Sequence, residues 1–473
     1  MSTEASIADN EQDLQAIPGP KGKFLTGNLS QIDFEKFHHF ARDNAKKYGS
    51  IYRLAFAHKP VVVLSNPGTV RSILKNRPDK YRRISTMESV FSELGINGVF
   101  STEGEQWKIQ RKIMNQAFKS SQIKNYQPII DRSTERLSNV LETIAESKKT
   151  IDVQALLQRY TVDITSNLAF GYDMDNLNND SSELQEKINI VFPMINNRIK
   201  APFPYWRYFK LKKDKDLNAA VDFIKKQSDQ FILSAEKNIN AGNQPGNILE
   251  AMIAARDEEG NSFSQEQLFP NIFTLLLAGE DTTANTLSWI LHYLSLNPEY
   301  QEKLFEEINQ NNNNEAEFNA SNENPTRGEF SLMSAVIQEC MRLMPVAPFL
   351  YLENIETENI EGYQIPAGTM IVVLLSQSGH EENYFESPDK FSPERWLSFS
   401  SNEHKQHMKN LMHFGSGARQ CPGMQLSMME LKCALSMLVK NFTFCVDENA
   451  KEIQDIFAFT VMPKNLMLKI SKR

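Results

Sequence analysis

Of the four cysteines in the 473 residues, Cys421 sits where a sulfur can do chemistry. It lies near the end of the run Phe414-Gly415-Ser416-Gly417-Ala418-Arg419-Gln420-Cys421-Pro422-Gly423. Three glycines in ten residues permit tight turns and close approach of the backbone to a flat partner. Helical periodicity follows over residues 424–439, and Pro422 suits the first helical position. A thiol just before a helix start meets the positive end of the dipole and free backbone N–H groups. Both favour thiolate, the form that binds metal. Hydrogen bonds to that sulfur would tune the metal's potential. Arg419 is placed to meet an anionic group on the same partner, and Phe414 to shield the sulfur.

Three other groupings carry chemical interest. Ala278-Gly279-Glu280-Asp281-Thr282-Thr283 lies inside a long apolar run from Leu268 to Asn297, which ends at Pro298. That run predicts a helix of about 30 residues, some 45 Å long. A carboxylate beside a hydroxyl in such a helix is costly unless it is used. Threonine can divert a helical hydrogen bond and open a local distortion able to hold water. Glu339 and Arg342 share a face of a helix that is otherwise apolar, with Arg395 downstream in Pro393-Glu394-Arg395-Trp396. Trp107 and Arg111, four apart, also share a face; indole N–H and guanidinium donate well to carboxylates.

The surrounding chain must position these residues. Hydrophobic residues make up 41% and charged residues 23%, an ordinary globular balance. The net charge of -8 argues against a nucleic-acid binder. Four cysteines without Cys-x-x-Cys spacing give neither a disulfide framework nor a zinc ribbon, so a reducing, cytoplasmic setting is expected. The acidic N-terminus is no signal peptide, and no run of 18 apolar residues predicts a membrane span, so a soluble protein without an anchor is expected.

Residues 1–16 read as a disordered tail, with one domain over 17–473 opening at Ile17-Pro18-Gly19-Pro20. Residues 51–56 and 60–65 predict a hairpin around His58-Lys59, with Val61–Leu64 as its buried strand. Residues 106–240 are mainly helical, apart from an aromatic, proline-punctuated segment over 201–209 that is either a packed connector or a mobile lid. Residues 309–325 read as a solvated loop, and a second β section follows at 363–375. The fold class is mainly α: a large helical part and a smaller β-rich part from about 48–66 and 350–380.

The loop around Cys421 resembles the cytochrome P-450 signature: Phe, two residues, Gly, one residue, Arg, one residue, Cys, one residue, Gly. In that family a cysteine thiolate ligates haem iron. The resemblance spans roughly residues 17–473 and implies the mainly helical P-450 fold with a small β domain. It makes Cys421 the proximal metal ligand of haem b, within a loop built by Phe414, Arg419 and Gly423. Arg419 would pair with a propionate, as would Trp107 and Arg111, with Arg82 or Arg83 a further candidate. Ala278 and Gly279 would leave room for haem and oxygen. Asp281 would relay protons and Thr282 would steady oxygen and its water. Glu339, Arg342 and Arg395 would form a structural triad behind the haem loop. One departure is Asn354, where many relatives carry a propionate-binding arginine; His380 is a possible substitute.

The resemblance implies a monooxygenase that inserts one atom of O2 into a C–H or C=C bond of a hydrophobic substrate, fatty acid or terpenoid. The intact Asp281-Thr282 pair argues against a peroxide-driven peroxygenase and against a haem sensor without turnover. Pocket walls would come from residues 85–100, 192–209, Ala278, Val346–Leu350 and Phe457–Val461. Electrons would come from a separate ferredoxin or flavodoxin with its reductase. Acid-free runs with Lys108, Arg111, Lys112 and Lys119, and with Lys405, Lys409 and Arg419, offer a basic docking patch.

Overall fold

A computed structural model describes residues 14–179, 183–201, 203–311 and 331–473. The expected N-terminal tail, apart from the helical residues 14–16, lies outside them, as does the expected loop beyond residue 311. Of the described residues, 58% are helical. The helices that position candidate site residues are α1 (Phe37–Tyr48), α2 (Pro67–Lys75), α3 (Gly104–Ala117), α4 (Val153–Phe170), α5 (Glu183–Lys200), α6 (Gln265–Leu296), α7 (Leu332–Leu343) and α8 (Met424–Asn441). The strands are β1 (Ile51–Phe56), β2 (Lys59–Leu64), β3 (Tyr81–Arg83), β4 (Phe349–Asn354), β5 (Met370–Leu374), β6 (Gln454–Phe457) and β7 (Val461–Lys464).

The described residues form two compact units, one of 14–85, 331–421 and 454–464, the other of 86–311, 422–453 and 465–473. The first holds a five-stranded sheet in the order β1-β2-β5-β4-β3. The predicted hairpin is there, with Ile51 opposite Leu64 and Phe56 opposite Lys59. Val61 to Leu64 are fully buried because β2 is covered on both faces. Val62 and Leu64 pack with Val70, Ile73 and Leu74 of α2 on one side. Val61 and Val63 pack with Phe37, Ala41 and Ala45 of α1 on the other. β5 lies parallel to β2, Val61 opposite Met370, which leaves a continuous β-branched core in this layer.

In the second unit α6 runs unbroken for 32 residues, about 48 Å at 1.5 Å per residue. Gln267 accepts the Ser264 N–H at 3.0 Å at its start, and Asn297 caps its end before Pro298. The closely packed neighbour is α4, which is buried over most of its length. The C-terminal strands Phe442–Val446 and Met467–Lys472 pair antiparallel in this unit. They, and the β6–β7 hairpin of the first unit, fall outside the expected β section because their runs are short and mixed in polarity.

Candidate active site

In the first unit the Cys421 loop is closed by its own backbone. Cys421 N–H donates to Phe414 O at 2.8 Å, Gln420 N–H to Gly417 O at 3.1 Å, and Gly415 N–H to Met412 O at 2.8 Å. Gly415 and Gly417 hold φ of 73° and 72°, which glycine adopts without a Cβ penalty. A Cβ on Gly417 would lie 2.5 Å from Leu74 O, so the loop is seated on the C-terminal turn of α2. The Cys421 thiol is exposed at the end of this loop. His413, just before the loop, is held neutral by burial and then by the Arg342 charge, which push it down to about 3. Arg419 is therefore the cation of residues 413–421. One expectation is corrected here. α8 starts at Met424 with Gly423 as its N-cap, so Pro422 sits in the preceding turn and not in the helix.

Glu339, Arg342 and Arg395 come together in the first unit. Arg342 donates to both oxygens of Glu339 at 2.8 Å, and Arg395 Nε donates to Oε1 at 3.0 Å. Sequence reasoning missed two further donors, Trp396 Nε1 to Oε2 at 2.8 Å and Ser392 N–H to Oε1 at 2.9 Å. Glu339 and Arg342 are fully buried. The other arm of Arg342 donates to the carbonyls of Gly379 and Pro388, both at 2.5 Å. Ser378 in turn donates to Asn410 O at 3.0 Å, two residues before the turn that opens the cysteine loop. A chain of hydrogen bonds thus leads from the buried cluster to the base of that loop.

Asn354 is engaged elsewhere than at a cofactor. It donates to the carbonyls of Glu356 and Ile365, each at 2.9 Å, and accepts the Thr369 N–H at 3.0 Å, which braces the end of β4. His380 is buried, and desolvation with nearby Arg42 and Arg342 lowers its pKa well below the usual value. Arg82 lies 3.5 Å from Glu353.

In the second unit the predicted acid and hydroxyl sit mid-way along α6. Thr282 Oγ1 donates to Ala278 O at 2.8 Å. The helix is unbroken there, so the expected backbone opening is not formed. Asp281 accepts from Gln158 of α4 at 2.9 Å, and burial raises its pKa. Its neighbour Glu280, missed by sequence reasoning, is pushed up to about 8 by burial and then by the Asp281 charge. Gly279 also needs correction. Its missing side chain makes room for α4, since a Cβ there would meet Thr165 Oγ1 at 2.5 Å. Ala278 is exposed within a helix that is otherwise largely buried. Such a bare stretch of helix suits a flat group laid against it.

Trp107 is buried on α3, with Arg111 one turn on and partly exposed. In the segment 201–209, Pro202 lies outside the described residues. The rest supports a packed connector: Trp206 is buried and donates to Glu93 at 2.7 Å, and Arg207 donates to the same carboxylate. Residues of the expected pocket walls join aromatic pairs: Phe192 meets Phe273, which was not among them, at 5.7 Å in the second unit, and Phe349 meets Phe457 at 4.7 Å in the first. The basic patch is partly neutralised, with Lys108 2.8 Å from Glu105 and Lys112 3.5 Å from Glu259.

Comparison with known proteins bears on this arrangement. The chain is 28% identical to cytochrome P450 3A17 of Cavia porcellus, over 90% of this chain and 85% of that one. It is 24% identical to the protein LUTEIN DEFICIENT 5, chloroplastic, of Arabidopsis thaliana, over 98% of this chain and 78% of that one. The haem domain of cytochrome P450DA superposes with a TM-score of 0.83 at 20% identity, covering 97% of this chain and 98% of that one. Another cytochrome P450 (CYP102L1) gives 0.81 at 22% identity, covering 97% and 99%. No helix among the described residues is long and apolar enough to cross a membrane. The family model for cytochrome P450 matches residues 17–470, a span that takes in the cysteine loop and the acid-bearing helix alike, and the chain belongs to that family of haem b monooxygenases.

Proposed function

We propose that this monooxygenase oxidises a hydrophobic substrate of fatty-acid or terpenoid class, using electrons from a separate acidic ferredoxin- or flavodoxin-type protein. The observation that carries the reading is the pairing of Asp281 with Thr282 on a helix stretch left bare at Ala278. Cys421 would hold the iron as thiolate, on a loop whose two left-handed glycines and α2 seat fix the sulfur's position. Arg419, Trp107 and Arg111 would donate to the propionates, and Gly423 and Phe414 shape the loop around them. Haem b supplies the activation of dioxygen. The chain's own contribution is proton handling: burial keeps a proton on the Asp281 carboxyl more readily than in water, and the adjacent hydroxyl can pass it on.

The substrate class rests on the aromatic pairs that residues of the expected walls join, Phe192–Phe273, Phe91–Phe100 and Phe349–Phe457. The donor class rests on surface lysines. Because Lys108 and Lys112 lean on acids, the weight falls on Lys405 and Lys409, four apart on the helix Ser401–Leu411 and hence on one face.

The carbon-monoxide difference spectrum of the reduced protein tests the metal ligand. The parent is expected to give the band of thiolate-ligated haem, and C421A to lose both that band and product. Product analysis over a lipid and terpene panel with surrogate donors tests the rest. Retention of band and product by C421A removes the assignment; turnover of polar compounds alone removes the substrate class.

A further inference from the structure

We propose that a polar cavity between α4, residues 176–179 and α5 is the water entry to the acid pair of α6, and that Glu280 is a second proton-holding carboxyl there. This rests on the role given to Asp281 above. The cavity, about 210 Å³, is lined by Gln158, Arg159, Val162, Asn176, Gln185 and Asn189. Two of these, from different helices, hold the two neighbouring acids. Gln158 donates to Asp281 at 2.9 Å and Gln185 to Glu280 at 3.3 Å. Consecutive helical residues point about 100° apart, which sends one carboxyl to α4 and the other toward α5.

The lining is graded from surface to core. Arg159 and Asn189 are exposed, whereas Gln185 and Asn176 are buried. Asn176 Oδ1 is buried with no hydrogen-bond partner among the described residues. A cavity of this size with several amides has room and partners for a few waters. The surrounding charges are otherwise engaged. Arg159 donates to the carbonyls of Asn176 and Leu177, Asp163 accepts their N–H groups, and Lys187 on α5 leans on Glu183. Asp281 is the charged neighbour that acts on Glu280. Burial first, and the Asp281 charge once that group has given up its proton, keep Glu280, 5% exposed, protonated near neutral pH. Once Asp281 has given up its proton, the Glu280 O–H bond breaks and one forms at Asp281 through water. Cavity water then returns a proton to Glu280, with no change in oxidation state.

The test uses the haem-loaded protein, E280Q, V162F (which fills the cavity without touching either carboxyl's bond) and D281N. Infrared spectroscopy reads the carboxyl directly. The parent is expected to show a protonated-carboxyl band that titrates near pH 8 and is missing in E280Q. In turnover, E280Q should lose about tenfold at pH 7 and lose the parent's decline through pH 8, with substrate binding unchanged. V162F should slow turnover and raise its solvent deuterium effect. If E280Q and V162F both keep the parent's pH profile while D281N abolishes turnover, the cavity route is wrong and the Asp281 role stands. If D281N is also without effect, the acid–threonine reading fails and this inference with it.

Discussion

Replacing Glu339 by glutamine is the sharpest test of how the cysteine loop is supported. The carboxylate accepts from Arg342 twice, Arg395, Ser392 and Trp396, with Glu339 and Arg342 fully buried. An amide keeps the shape and offers one oxygen. Its NH2 must then face either Arg342, Arg395 and Ser392 on one side or Arg342 and Trp396 on the other. At least one guanidinium N–H is left pointing at another donor in the interior. Breaking a buried ion pair from one side costs about 3–5 kcal/mol, because the remaining charge has no compensation. Arg395 is different: its side chain keeps 10% exposure, and R395M removes one charge-assisted bond to Glu339, worth about 1.5–3 kcal/mol.

The expected order of loss is therefore E339Q, then R342M at a similar cost, then R395M. Urea unfolding of the haem-loaded protein reads it, followed by far-ultraviolet circular dichroism and haem absorbance. With a slope of about 3 kcal/mol per molar or more for a chain of this size, E339Q should lower the midpoint by about 1 M. Haem absorbance should be lost before helicity, since the cluster reaches the loop through Gly379, Ser378 and Asn410. An E339Q midpoint within about 0.2 M of the parent, or R395M costing more than E339Q, would refute the reasoning.

Other outcomes follow from single contacts. G417A forces a side chain onto φ 72° and to 2.5 Å from Leu74 O, so it should cost about 1–3 kcal/mol or more in the same urea assay; an unchanged midpoint would show the loop is not seated on α2. Glu430 on α8 is pushed up to about 8 by burial, against a hydrogen bond from Thr283. Between about pH 4.5 and 8 the unfolded chain releases a proton that the folded chain keeps, so stability falls as pH rises through that window. E430Q lacks this loss and should be more stable than the parent by up to about 3 kcal/mol at pH 7, with the gap closing by pH 4.5; a gap that widens toward acid refutes it. K405E/K409E should slow reduction by an acidic donor at low salt and not at high salt; stopped-flow rates that ignore the change place docking elsewhere.

What was legible in the sequence was whatever the backbone and one short run decide. Val61-Val62-Val63-Leu64 reads as a strand buried on both faces, and it is one, because β-branched residues leave little choice. The span of α6 followed from Asn297-Pro298 at one end and an unbroken apolar run before it. What stayed hidden was set by tertiary partners. Nothing local tells that Gly279 faces Thr165, that Trp396 reaches Glu339, or that Asn354 braces its own strand end. The lysines of α3 read as an acid-free stretch, yet Glu105 precedes them by a turn and Glu259 arrives from far along the chain.

The two buried glutamates show why residue type alone does not assign a role. Glu339 is surrounded by two guanidinium groups, an indole and a backbone N–H, so each lone pair that burial strips of water finds a charged or strong donor. Such a group is a strut: it ties α7 to residues 392–396 and has nothing to give away. Glu280 receives a single amide at 3.3 Å and has another acid as its neighbour. Burial with so little compensation favours the neutral form, and a neutral carboxyl within reach of a polar cavity can exchange its proton. The count and charge of the donors, set by α5 in one case and by α7 with residues 392–396 in the other, separate a structural acid from one able to serve proton transfer.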